Sequence, residues 1–243
     1  MASYTLSLIQ RASIAHDTML YSCSKPDGFV HIAGQYMDIT IPQPMHHDAE
    51  GDTRTFSIAS APHEQELLFA TRLSVSAFKK SITDMPLPLS LHAEGPNGDF
   101  VLHQDAHRPA IFLIGGIGIT PVRSIIVDAL YRNLPHRLYL FYANRNQQSA
   151  PFLDEFDVLA REHETLTFVP TITDSSTEAW SNETGPIDER MIQAYAPQWQ
   201  EAVYYLAGPA TMVHSMRAVL EGMHVDELHI KTEEFSGYEH TEA

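Results

Sequence analysis

Two rhythms of apolar and polar positions divide the chain. In the first hundred residues the apolar runs are short. Stretches such as QYMDITI, residues 35–41, alternate with a period of two, the pattern of a half-buried strand. Strands are predicted at 4–10, 18–22, 29–32, 36–41, 54–59, 67–72 and 89–93, separated by Gly, Pro and Asp turns. That spacing indicates an antiparallel barrel or sandwich. One helix interrupts the strands: AFKKSITDM, with Ser76 as its cap and an end before Pro86.

From about residue 109 the rhythm changes. AIFLIG, residues 110–115, is a continuous apolar run, and helical, strand-like and helical segments then alternate. Helices are predicted at 121–133, 151–163, 188–195 and 209–222, and strands at 137–143, 165–171 and 203–208. Buried strands alternating with amphipathic helices make a parallel sheet with right-handed crossovers. The fold class expected is therefore an antiparallel β-barrel followed by a parallel-sheet α/β domain. The change at HQDAHRP places the domains at 1–106 and 107–243.

Within the second domain, LIGGIGITP at 113–121 puts Gly115, Gly116 and Gly118 after a strand and before a helix. Thr120 stands at the expected N-cap and Pro121 at the first helical position. Glycines there let the backbone approach a pyrophosphate, and the helix N-terminus offers free N–H groups and partial positive charge. A plain structural corner accounts for the fragment equally well. YLAGPATM repeats the arrangement, with Gly208 after a strand and Pro209 at a helix start. Two such turns at the carboxyl ends of parallel strands open onto one crevice, where α/β sheets bind ligands.

Composition narrows the classes. The 243 residues are 44% apolar and 19% charged, which suits a folded chain rather than a disordered one. A formal net charge of −16 disfavours nucleic acid and anionic membranes as partners. The apolar stretch around 110–120 is broken by glycines and too short to span a membrane, so no span is expected. The N-terminus has no basic start followed by an apolar block, and a cytoplasmic location is expected. The single cysteine, Cys23, excludes an internal disulfide and a four-cysteine iron–sulfur cluster within these residues. His46, His47 and Asp48 are adjacent in a Pro-rich loop with no second ligand cluster, so they read as a solvated loop rather than a metal site.

Taken in order, RTFSIAS, GPNGDF, GGIGITP, FYANR, LAGPATM and EEFSGY resemble the motifs of the ferredoxin–NADP reductase family, over nearly the whole chain. The resemblance implies an FAD-containing, NAD(P)H-dependent oxidoreductase: a barrel holding FAD, an α/β domain holding NAD(P)H, and electrons passed to a separate acceptor. That acceptor is a ferredoxin, a monooxygenase component, a cytochrome or a small molecule. Lys79, Lys80, Arg72 and Arg123 are the basic residues available for docking an acidic protein. A non-catalytic flavin- or nucleotide-binding electron-transfer or sensor subunit is the alternative reading.

The same resemblance implies roles for individual residues. Arg54 offers a fork of donors to an FAD phosphate, Phe56 lies against the flavin, and Ser57 stands near flavin N5. Ser76, Ala77 and Phe78, at the start of the first helix, meet the FAD pyrophosphate. Gly116, Gly118, Thr120 and Pro121 face the NAD(P) pyrophosphate or nicotinamide, with Gly208 and Pro209 opposite. Asn144 and Arg145 lie near the adenosine ribose, and an arginine there favours NADPH. Phe235 or Tyr238 covers the flavin as a gate, and Glu233 or Glu234 relays a proton. Two departures stand out: Ala207 replaces a cysteine that many relatives carry, and Phe56 replaces a tyrosine.

Overall fold

A computed structural model describes residues 2–174 and 180–235. The chain divides into two units, residues 1–101 with 120–128, and residues 102–119 with 129–243.

The first unit contains β1 (Ser3–Ala15), β2 (Thr18–Ser24), β3 (Tyr36–Thr40), β4 (Thr53–Ser57), β5 (Glu66–Arg72), α1 (Ala77–Asp84) and β6 (Leu89–Asn97). The strands form one antiparallel sheet in the order β4-β3-β6-β1-β2-β5. Just past β4, the Ala59 N–H donates to the Leu68 carbonyl of β5 at 2.7 Å, drawing the two edge strands together. The period-two pattern is the cause of the curl: Leu6, Tyr21, Met37, Phe56, Phe69 and Leu91, one from each strand, point into one core with Phe78 and Ile82 of α1. Residues 29–32 do keep the alternation, with Phe29 and His31 buried and Val30 and Ile32 exposed, yet they join no ladder. The Ile32 N–H is taken instead by the Gln35 side chain at 2.8 Å.

The second unit is built from β7 (Ala110–Gly115), a 3₁₀ turn (Gly116–Gly118), α2 (Ile119–Tyr131), β8 (Leu138–Asn144), α3 (Leu153–Glu162), β9 (Leu166–Ile172), β10 (Glu183–Thr184), α4 (Glu189–Tyr195), β11 (Val203–Pro209), α5 (Ala210–Gly222) and β12 (Ile230–Phe235). By contact, residues 120–128 of α2 group with the first unit. All six strands are parallel, in the order β10-β9-β8-β7-β11-β12. Every residue of β7 is buried, as a central parallel strand requires. The chain winds outward from β7 through β8 and β9, then returns to the other side as β11. The order therefore reverses between β7 and β11, and that switch point is where open α/β sheets leave a crevice.

Several boundaries differ from the sequence expectation: β1 extends to Ala15 and β6 to Asn97, and Pro209 ends β11 as the N-cap of α5 rather than starting the helix. The 3₁₀ turn runs directly into α2 at Ile119, so Thr120 and Pro121 are helical rather than cap and first position. The C-terminal segment is a sixth strand, β12, paired along β11.

Candidate functional site

Arg54 leaves β4 with a side chain only 19% exposed, and almost every donor it has is engaged. Its Nη1 donates to the carbonyls of Glu50, Gly51 and Thr53 at 3.1, 2.9 and 2.8 Å. Its Nη2 meets Glu50 Oε2 at 2.6 Å and Ser76 Oγ at 3.3 Å, and lies 3.6 Å from Asp48 Oδ1. The guanidinium carbon sits 5.6 Å from the centre of the Phe78 ring.

Ser76 holds the N-cap position of α1, but its hydroxyl makes no cap bond. Asp48, 29 residues upstream, caps the helix in its place: its Oδ2 accepts from the Ala77 N–H at 2.7 Å. That N–H bond, above all, holds the Asp48 carboxyl below the usual carboxylate range, with the Glu50 N–H and Arg54 adding to it against a desolvation penalty. Arg54, which also donates to the Ser76 hydroxyl, and the N-terminus of α1 thus converge on Asp48, with Glu50 also bonded to the guanidinium. This donor set fits an anion of phosphate type.

Phe56 and Phe78 belong to the barrel core. Their ring centres lie 5.7 Å apart, Phe56 is 6.2 Å from Phe69, and neither ring is appreciably exposed. Ser57 is buried at the end of β4, opposite Tyr36 of β3. The adjacent His46, His47 and Asp48 diverge: His46 bonds Asp84 of α1 at 3.1 Å, His47 lies 3.6 Å from Asp52, and Asp48 turns to Ala77. Arg123 is no docking cation. It is buried and holds Glu64 through 2.9 and 3.1 Å bonds, while also donating to the Ala59 carbonyl at 2.9 Å.

In the second unit, glycines occupy the switch point. Gly116 has φ +51, and its carbonyl accepts from the Tyr142 hydroxyl at 3.1 Å. A Cβ on Gly118 would stand 2.4 Å from the Ala207 carbonyl carbon and oxygen and 2.6 Å from the Gly208 nitrogen. Gly208 has φ +154, and a Cβ there would meet the Gly115 backbone at 3.1–3.2 Å. The missing side chains let the 116–118 turn lie directly on the end of β11.

The β11–β12 ladder adds the C-terminal residues, setting Glu233 beside Ala207, Glu234 beside Gly208 and Phe235 beside Pro209. Glu234 is exposed and lies 3.3 Å from His214. Tyr238 lies outside the described residues. At the end of β8, two strands away from β11, the Asn144 Oδ1 is buried without a hydrogen-bond partner, and Arg145 is exposed. The Arg145 carbonyl accepts from the Asp174 N–H at 2.8 Å, which brings an acidic residue of the next strand's end beside it. A cavity of about 300 Å³, lined by Phe168, Glu183, Thr184 and Tyr195 among others, has no motif residue in its wall.

Sequence reasoning missed Asp48, Glu50 and Asp174 as neighbours of the motif residues. Glu50 carried a local signal, four residues before Arg54, whereas Asp48 and Asp174 are joined to their partners only by the fold.

A parallel sheet whose switch point is floored with glycine, preceded by an antiparallel barrel, makes a two-unit architecture of β and α/β class. Residues 112–218 match the family described as oxidoreductase NAD-binding domain. The chain is 25% identical over 195 residues to a probable flavin reductase of Aliivibrio fischeri, covering 78% of each. It is 27% identical over 207 residues to the phenol hydroxylase P5 protein of Acinetobacter pittii, covering 84% of this chain but 57% of that one. Among solved structures, a ferredoxin–NADP⁺ reductase of Neisseria gonorrhoeae with bound FAD and NADP superposes with a TM-score of 0.78 at 17% identity, covering 96% and 99% of the two chains. In fold the chain is similar to ferredoxin–NADP reductase-like modules, and the fold class expected from the sequence is the one observed. Among the described residues no helix is long and apolar enough to cross a membrane.

Proposed function

We propose that the chain is an NAD(P)H-dependent flavin reductase that holds FAD and delivers electrons to a separate acceptor. Residues 1–106 take the flavin and residues 107–243 the nucleotide. The observation that carries this reading is the switch point between β7 and β11, where Gly116, Gly118 and Gly208 bare the backbone inside the stretch that matches the NAD-binding family. FAD, when bound, supplies a carrier that accepts a hydride and releases electrons singly.

In this reading the residues of the chain bind, orient and handle protons. Arg54, the Ser76 hydroxyl and the Ala77 N–H hold the flavin phosphates, while Phe56 and Phe78 form the apolar wall behind Arg54. Ser57, at the end of β4, offers its hydroxyl to flavin N5. Gly116, Gly118, Thr120 and Pro121 on one strand end, and Gly208 and Pro209 on the neighbouring one, receive the nucleotide. Asn144 and Arg145 take the adenosine side, with NADPH preferred to NADH. Glu233, set beside Ala207 by the β12 ladder, is the proton relay, and Phe235 or Tyr238 is the aromatic gate. The relatives named for flavin reduction and for a phenol hydroxylase component support an acceptor that is a free flavin or an oxygenase partner.

The test is an anaerobic spectral titration of the purified protein with NADPH and then NADH. Bleaching of the flavin band by one nucleotide is expected. A protein that stays unbleached after FAD is supplied overturns the reading. Arg54→Ala should lose flavin on gel filtration, and full retention by that variant would remove Arg54 from the phosphate role.

A further inference from the structure

The donors assigned above to the flavin phosphates are held by the chain's own carboxylates. Asp48 Oδ2 takes the Ala77 N–H at the N-terminus of α1, its Oδ1 lies 3.6 Å from Arg54 Nη2, and Glu50 Oε2 closes on the same Nη2 at 2.6 Å. The two acids lie in the loop between β3 and β4, and the three backbone carbonyls that grip Arg54 Nη1 come from residues 50, 51 and 53 at the same turn. A carboxylate and a phosphate diester oxygen demand the same thing of these donors, a charge-assisted bond from a guanidinium and from a helix N-terminus. Both cannot be accommodated at once.

We propose that Asp48, assisted by Glu50, is a specificity-determining residue: an internal competitor that fills the phosphate position and must be displaced by the diphosphate tail of FAD. The inference rests on the reading of Arg54, Ser76 and Ala77 as phosphate donors. Its consequence is selective. Riboflavin carries no phosphate and leaves the carboxylates in place, so its affinity is indifferent to them. FAD must exchange two protein–carboxylate contacts for two protein–phosphate contacts and brings further negative charge next to Asp48 and Glu50. The usual advantage of FAD over riboflavin is thereby compressed, and the flavin exchanges with solution more readily than a resident cofactor would.

The experiment is equilibrium binding of FAD and of riboflavin, read by quenching of flavin fluorescence, on the flavin-free full chain and its variants. Asp48→Asn removes the charge but keeps an oxygen for the Ala77 N–H. It should tighten FAD by about tenfold, the scale of one charge-assisted hydrogen bond, and leave riboflavin within about twofold. Glu50→Gln should shift FAD in the same direction without touching the cap of α1, so it stands in if the Asp48 variant does not fold. FAD affinity that is unchanged or weaker in whichever of these variants retains the circular dichroism of the parent overturns the proposal. Arg54→Ala separates the two levels. If it weakens FAD but not riboflavin while the acid variants fail to tighten FAD, the competitor is wrong and the phosphate site stands. If it weakens neither flavin, the phosphate reading itself falls, and the competitor falls with it.

Discussion

Gly118 gives the sharpest test of how the switch point is built. In Gly118→Ala the new methyl would sit 2.4 Å from the carbonyl carbon and oxygen of Ala207 and 2.6 Å from the nitrogen of Gly208. Ordinary carbon contacts begin near 3.5 Å, so about 1 Å of separation must be found. The obstacle is backbone, and it is fixed on both sides: Ala207 pairs with Ile114 of β7 and with Glu233 of β12. Overpacking costs about 1–3 kcal/mol where neighbours can adjust, and a doubly paired strand cannot, so a loss of about 3 kcal/mol is expected. Gly222→Ala is the control. It lies in α5, has no positive φ and has open space where its Cβ would go, so it should be neutral or gain about 0.5 kcal/mol. Both tryptophans, Trp180 and Trp199, lie in the second unit, and their fluorescence in urea follows its unfolding. A slope of about 2–3 kcal/mol per molar urea turns the expected loss into a midpoint lowered by about 1 M. A Gly118→Ala protein that unfolds at the parent's urea midpoint refutes the packing argument. Were it also to lose nucleotide binding, the glycine would serve the ligand alone.

Glu64→Gln should destabilise the first unit by about 2–3 kcal/mol in urea or thermal unfolding, because it strands the buried Arg123, with the lower part of the range for buried pairs reflecting the 25% exposure of Glu64. Burial pushes the Glu64 carboxyl up, but the Arg123 bonds and charge and the Ala61 N–H outweigh it and bring it below 4.5. Its folded value is depressed, so its contribution is complete above about pH 4.5 and is lost as the pH falls through the folded value; the variant should show a shallower loss of stability in that acid range. Cys23 is buried, and burial followed by the Glu66 charge pushes its thiol up to about 12, so alkylation at pH 8 should be absent from the folded protein and complete in denaturant, by intact mass. Arg145→Ala should raise the KM for NADPH by about tenfold and that for NADH by less than twofold, the difference of one charged contact to a 2′-phosphate. Equal effects on the two nucleotides would remove Arg145 from that contact.

How far the fold could be read in advance follows from which signals are local. β7 declares itself because six consecutive buried residues leave no polar face to mistake. The alternation in β3 likewise puts Met37 and Ile39 inward without any knowledge of partners. Residues 29–32 show the limit of the same signal. Their burial alternates as a strand's does, but a ladder needs a neighbour, and the Gln35 side chain takes one of the bonds a neighbour would have made. β12 was hidden for the converse reason. IKTEEF has no period-two core face, and its pairing with β11 is a long-range fact.

The candidate site divides along the same line. Arg54 and the glycines were legible because their chemistry is written in residue type: a fork of donors, and positions where a Cβ does not fit. What each residue meets was not. Arg123 read as a surface cation because a single charge on a helix looks solvated when counted by composition. Yet Val122, Ser124, Ile125 and Ile126 around it are all buried, and a charge inside a helix that is buried on every side must have a partner. Glu64 is that partner, 59 residues upstream. Asp48 follows the same logic from the opposite sign. A helix beginning SAF, whose N-cap serine makes no side-chain cap bond, leaves an N-terminus open to any nearby acid, and the loop bearing Asp48 and Glu50 supplies one. In both cases the informative question was which charge a buried or capped group demands, and the fold answered it from far along the chain.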